Sequence, residues 1–265
     1  MILQPVRKLI LVILWTALSI VFQFIVMQLR LSISKTFPLF YWHVYLRMIG
    51  IKVVVHGQWS QAQPTLFVSN HSSYLDVMIL GSLIPGSFIA KRDIAHWPIV
   101  SLLAKKFNKT LFIERYRHHH AQQQRDVLCQ HLLTRQNLIL FPEGTTSDGN
   151  RVLPFKSSLF DCASTRIDGL FITVQPISIT AIKLNDLPIA RSFRPFYSWY
   201  GNMDLLTHMW VVFTCHRMTI EVVFHAPVTM DQFQHRKEMS KYCEQVITDD
   251  VVRALSGYSL DSSAR

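Results

Sequence analysis

The sequence predicts an α/β domain, a mostly parallel sheet flanked by helices, behind an N-terminal membrane-embedded helical segment. Three observations carry this. After Gly57 short apolar runs alternate with helical patterns, as strand–helix–strand units do. Near the start, residues 9–27 form one run of 19 uncharged positions. Hydrophobic residues make up 49% of the 265, enough for a sizeable core at this length.

Taken in order, the first element is the run 9–27, bracketed by Arg7 and Lys8 before it and Arg30 and Lys35 after it. As a helix it reaches about 28 Å, close to the roughly 30 Å of bilayer hydrocarbon. No small-x-small cleavage pattern follows, so it reads as a retained anchor rather than a signal peptide. Thr16, Ser19 and Gln23 weaken a full span, which leaves both a crossing and a dip into one leaflet open. The aromatic segment 36–57 suits a helix at the headgroup level or one packed on the domain. The resulting division is 1–50 as membrane anchor and interfacial helix, 51–255 as the α/β domain and 256–265 as a disordered tail.

Within the domain, residues 65–69 read as a strand, 74–83 as a helix and 87–90 as a strand. A helix opened by proline follows at 98–107, then a strand at 111–114, a helix at 121–135 and a strand at 138–141. Residues 157–166 read as a helix, 171–181 as a long strand, 218–225 as a late or edge strand and 231–255 as a terminal helix. Sites in such sheets form beyond the carboxyl ends of the strands, which singles out the loops after Ser69, Glu114 and Phe141.

The formal charge of +10, with 12 further histidines, calls for anionic surroundings. The basic residues are scattered among aromatics with no zinc-finger or RNA-recognition pattern, so a membrane face is expected and nucleic acid is not. Cys129, Cys162, Cys215 and Cys243 lie far apart and read as reduced core thiols in a cytosol-facing protein. Consecutive helical residues point 100° apart, so His118, His119 and His120 cannot share an ion, and no metal is expected.

Chemistry concentrates in two loops. In NHSSYLD, His71 and Asp76 stand five apart, as a base and its orienting carboxylate do; Ser73 and Asp76 stand three apart, as a capping box does. On one continuous helix the first pair would diverge by about 140°. They meet only if the helix starts between them, and Ser72 or Ser73 as N-cap supplies that start. The second loop, FPEGTTSDGNRVLPFK, follows a strand and carries Pro142, Glu143 and Gly144, then Arg151 and Lys156, a candidate anion pocket. Lys91 and Arg92, after the second strand, could grip a phosphate or be solvated.

NHSSYLD, TLFIER, FPEGTTS and VQPIS, in that order, resemble the four blocks of the glycerolipid acyltransferase family, most closely the bacterial 1-acylglycerol-3-phosphate acyltransferases. The resemblance implies a membrane-bound enzyme that moves an acyl group from acyl-CoA or acyl carrier protein to a lysophospholipid hydroxyl, without further cofactor. It places such an enzyme at the bacterial inner membrane with its site facing the cytoplasm. Membrane lipids and the lysophospholipid acceptor would be its other partners. His71 would be the general base and Asp76 would fix its tautomer. Arg115, beside Glu114 in block two, would pair with an acceptor phosphate. Glu143, Gly144 and Thr145 would shape the acceptor pocket, Pro176 the site wall, and Asn70 and Pro142 belong to the motifs themselves. Two departures stand out. Lys109-Thr110 replaces a usual glycine before block two, and Thr146 stands where the family has a phosphate-binding arginine. Arg115, Arg151 and Lys156 could compensate. The E-G-T-T-S form also looks like that of enzymes acting on other lysolipids, including lyso-ornithine lipid. Phosphatidic acid formation is the first expectation and acylation of lyso-ornithine lipid the alternative, with a non-catalytic lipid-binding protein as the rival of another class.

Overall fold

The computed structural model describes residues 3–91, 111–113, 121–258 and 260, with the side chains of 90, 91, 111–113 and 121–125 outside that description. The expected helix at 98–107, Glu114, Arg115, the histidine run and most of the tail therefore lie outside the described residues.

Helix α1 runs Leu3–Gln28, with Pro5 tolerated in its first turn. It is long and apolar enough to cross a membrane by length and composition. It ends where Arg30 takes a left-handed φ of 53° and the Leu31 amide reaches back to Val26 O at 2.9 Å. One stripe is buried along its whole length: Pro5, Lys8, Val12, Ser19, Gln23 and Val26. That spacing of three, four and seven is one face of a helix. The remaining faces are apolar and exposed, including Leu14, Leu18 and Val21.

After a 3-10 turn at Ser32–Lys35, helix α2 (Phe37–Ile49) turns back along α1. Its aromatics are consumed in packing: Tyr41 and Trp42 are buried, Trp15 stacks on Tyr41 at 6.2 Å, and Phe22 meets Phe37 at 4.6 Å. The helix is packed on the protein, with Phe40 left exposed. Gly50 ends α2 at φ 93°, where a Cβ would sit 2.4 Å from His216 O. The chain then enters a strand that the sequence reading did not separate from the aromatic segment, β1 (Ile51–His56). Four of its six residues are β-branched, which favours the strand once glycine has broken the helix.

The remaining strands are β2 (Thr65–Ser69), β3 (Ser87–Lys91), β4 (Leu111–Ile113), β5 (Leu138–Leu140), β6 (Arg166–Ile167), β7 (Leu170–Phe171), β8 (Thr173–Leu184), β9 (Leu187–Pro188) and β10 (Met218–Phe224). Among the described residues eight strands form one sheet, ordered β1-β10-β8-β2-β5-β3-β4, with β9 hairpinned on β8. Pairings are parallel except β10 with β8 and β8 with β9. Helices α3 (Tyr74–Leu83), α4 (Ala121–Leu133), α5 (Leu205–Thr214) and α6 (Arg236–Leu255) complete the layers. Phe67, Ile139, Ile177 and Ile220 face a core shared with α2 and α3; Leu66, Val68, Leu138 and Leu140 face the other, shared with α4 and α6. The alternation along β2 decides which residue goes where.

Four expectations are corrected. In place of a helix over 157–166 the chain forms a 3-10 helix, Ser157–Ser164, that buries Phe160, Cys162 and Ala163, and Arg166 enters β6. The long strand begins at Thr173 because Leu170 and Phe171 belong to a hairpin turned by Asp168 (φ 54°) and Gly169 (φ 83°). The last helix starts at Arg236, after a separate 3-10 turn at Met230–Gln232. Finally, of the late or edge strand expected at 218–225 the late reading holds and the edge reading does not: β10 is the last strand in the chain but lies inside the sheet, between β1 and β8, with every residue buried.

Candidate active site

Strand β2 delivers the chain to the carboxyl edge of the sheet at Ser69. Asn70 then ties that exit to β8: its Nδ2 donates to Ile179 O at 2.9 Å, and the Ile179 amide donates to its Oδ1 at 2.8 Å. Ser73 is the N-cap of α3, its Oγ accepting from the Leu75 amide at 3.3 Å, and the Ser73 amide donates to Asp76 Oδ2 at 2.9 Å. The capping box is thus real, and it turns Asp76 back toward the preceding loop.

There the carboxylate meets the imidazole: His71 Nδ1 lies 2.9 Å from Asp76 Oδ2. The Ser72 amide donates to the same oxygen at 2.7 Å. The other oxygen, Oδ1, accepts from the phenol of Tyr197. Asp76 is completely buried. With the carboxylate accepting, Nδ1 carries the proton and Nε2 holds the lone pair. Nε2 has no hydrogen bond among the described residues, and the side chain keeps 18% of its surface exposed. The ring lies flat on Phe141, centroids 4.1 Å apart. An imidazole so held can take a proton from an incoming hydroxyl.

Glu143 faces inward. Its Oε1 accepts from the His71 amide at 2.7 Å and its Oε2 from the Leu153 amide at 3.0 Å, so it clamps the His71 loop to the 141–156 loop and shapes the site from behind. Burial, opposed by those two amides, pushes its carboxyl up to about 8. Gly144 supplies a φ of 73° for the turn that follows. The Ser147 amide donates to His71 O at 2.8 Å, which pins the far side of the loop. Thr145 is exposed and Thr146 half-buried in the same turn. Pro142 is buried and accepts the Lys156 amide at 3.0 Å. Arg151 is exposed and lines a crevice with Ser72, Arg194 and Tyr197; Lys156 is also exposed. Pro176 sits in β8 opposite Val68 of β2, and its carbonyl accepts the His225 amide at 3.0 Å. Lys91 ends β3, with its side chain outside the description. His208 is structural, buried between Tyr74 Oη (3.3 Å) and Pro195 O (3.1 Å). Among the described residues no group of three or more His, Cys, Asp or Glu could hold a metal ion.

Sequence reasoning missed Tyr197. It lies 121 positions from Asp76, and no local pattern announces its partner.

A histidine oriented by a buried carboxylate at the carboxyl edge of a parallel sheet is an arrangement suited to general-base catalysis. Comparison with known proteins gives the class a family. A family model described as Acyltransferase matches residues 52–180. A lyso-ornithine lipid O-acyltransferase of Brucella abortus is 32% identical over 239 residues, covering 89% of each chain. A 1-acyl-sn-glycerol-3-phosphate acyltransferase of Neisseria gonorrhoeae is 30% identical over 70% of each. The crystal structure of the 1-acyl-sn-glycerophosphate acyltransferase of Thermotoga maritima aligns over 97% of this chain and 98% of its own with a TM-score of 0.54 at 20% identity, a likeness of fold. The chain belongs to the glycerolipid acyltransferase family and is an O-acyltransferase.

Proposed function

We propose that this protein transfers a fatty acyl group from an acyl-CoA or acyl carrier protein thioester to the free hydroxyl of a lysolipid, with lyso-ornithine lipid favoured over 1-acylglycerol-3-phosphate. The observation that carries the reaction is the 2.9 Å contact of His71 Nδ1 with Asp76, which leaves Nε2 open. His71 Nε2 removes the hydroxyl proton as the oxygen attacks the thioester carbonyl. The tetrahedral intermediate collapses, the C–S bond breaks, and the imidazolium returns its proton to the departing thiolate. Asp76 stabilises the imidazolium between those two events. The acceptor oxygen itself is the nucleophile, so no acyl-enzyme forms.

Thr146 supports the acceptor assignment. A half-buried hydroxyl replaces a fork of five N–H donors suited to phosphate, and an ornithine headgroup carries a carboxylate and an amine instead. The relatives named for lyso-ornithine lipid support the same choice. For location we infer attachment to the bacterial inner membrane with the site facing the cytoplasm. The stripe that docks α1 runs its full length, which favours a helix lying in one leaflet against the protein over a free span. A sequence pI near 9.6 suits an acidic lipid face.

The test is purified protein in detergent, given a labelled acyl thioester and a panel of lysolipids. Acylation of lyso-ornithine lipid at least tenfold faster than of 1-acylglycerol-3-phosphate is expected, and His71→Ala abolishes it. Turnover by a folded His71→Ala protein sinks the mechanism; preference for the phosphate acceptor sinks the acceptor assignment alone.

A further inference from the structure

Among the described residues Asp76 Oδ2 has three donors, the His71 ring and the amides of Ser72 and Ser73, whereas Oδ1 has one, the Tyr197 phenol. Asp76 is fully buried and Tyr197 is 1% exposed, so water cannot replace that donor. The phenol is brought there by long-range structure. The 3-10 turn Arg191–Phe196 ends beside it, and the Trp199 amide donates to Ser72 O at 2.8 Å, which binds the Tyr197 segment to the His71 loop. We propose that Tyr197 is a positioning residue for acyl transfer, whose hydroxyl fixes the plane of the Asp76 carboxylate and sets how readily His71 takes up a proton. The inference rests on the reading of His71 as the base.

The physical argument concerns charge density. A hydrogen bond to a carboxylate draws negative charge toward the donor and lowers its basicity. Tyr197 remains a donor throughout, because burial first and the Asp76 charge second hold its hydroxyl well above the usual range. Without it, Oδ1 would be a buried oxygen with no partner, and the carboxylate would bind the His71 Nδ1 proton more strongly. The imidazole would then hold its second proton to higher pH and lose its power as a base there. Other groups facing the cluster do not supply that hydrogen bond. They are Tyr74 from α3, Glu143, Asp148 and Arg151 from the 141–156 loop, Glu244 from α6, Arg191 and Arg194 from the 3-10 turn, and His208 from α5. Among the described residues none of them donates to Oδ1.

Tyr197→Phe removes the hydroxyl and keeps the ring. The acid limb of kcat/KM should move upward by about half to one pH unit, with KM for both substrates within about twofold of native. A fluorinated tyrosine at 197, a stronger donor of nearly the same shape, should move the limb downward and keeps the test sound if the phenylalanine variant folds poorly. Because Glu143 can also titrate near this range, the limb is assigned from the imidazole resonances of labelled protein, the His71 signal being the one lost in His71→Gln. An unmoved limb in both variants, with activity changed only through stability, would leave Tyr197 merely structural. If the native protein transfers no acyl group to any lysolipid, the failure belongs to the underlying reading instead.

Discussion

Replacing Asp76 by Asn separates charge from shape at the centre of the site. Three donors converge on Oδ2, at 2.9, 2.7 and 2.9 Å from His71 Nδ1, Ser72 N and Ser73 N. An asparagine must therefore place its amide oxygen there, which leaves its NH2 at the Oδ1 position against the Tyr197 hydroxyl, a group that can turn to accept. The capping box, the Nδ1–H tautomer and the ring orientation all survive. What disappears is the negative charge beside the imidazolium that forms during transfer. Two unit charges 4 Å apart at an effective dielectric of about 20 interact by about 4 kcal/mol, or roughly a thousandfold in rate. Asp76→Asn should thus lower kcat by about a hundred- to a thousandfold and leave KM nearly unchanged. The assay is acyl transfer at saturating donor and acceptor, alongside thermal unfolding to show that the variant is folded. A folded variant within tenfold of native kcat would mean that Asp76 only caps the helix.

Two further outcomes follow from buried groups. Glu143 keeps its proton in the folded protein between 4.5 and about 8, where the unfolded chain has lost it. Stability from this group is therefore full below 4.5 and is lost as pH rises toward 8, at about 1.4 kcal/mol per pH unit. Glu143→Gln should abolish that slope, and parallel pH profiles of melting temperature for the two proteins would refute it. Lys8 Nζ donates to Ile49 O at 2.7 Å and Cys215 O at 2.5 Å, joining α1 to the ends of α2 and α5. Lys8→Met keeps the stem but leaves two carbonyls unpaired, so a loss of about 2–4 kcal/mol and faster proteolysis at α1 are expected. An unchanged melting temperature in detergent would show that α1 is held by its apolar contacts alone.

The difference between what was legible and what was not follows the range of the interactions. The boundary at Ser73, the meeting of His71 with Asp76 and the strand before them were legible because cap, spacing and apolar run lie within a dozen residues. Strand β1 was obscured by the aromatic helix that runs into it, although IKVVVH carries its own β-branched signal. Asp168-Gly169 between RI and LF is a two-residue hairpin signal that the longer apolar run 171–181 concealed. The inward turn of Glu143 and the partner of Tyr197 had no sequence signature at all, since both depend on loops brought together by the order of β2, β5 and β8 in the sheet.

Side-chain contacts between helices also link the apolar helix α1 to the candidate site. Helix α5 is joined at its end to α1 through Lys8 and Cys215 O, and through His208 to the phenol of Tyr74, the first residue of α3. The helix that starts at the His71 loop and the apolar helix α1 are thus linked by one intervening element. On the proposed membrane attachment, a docked α1 would fix where lipid lies relative to His71, and a lysolipid hydroxyl would approach the imidazole at a set depth. An anchor on a flexible tether would leave that depth to chance and would need no buried lysine. On that reading the stripe from Pro5 to Val26 would bear on catalysis as well as on attachment: loosening it should raise KM for a membrane-resident acceptor while leaving KM for a soluble thioester unchanged.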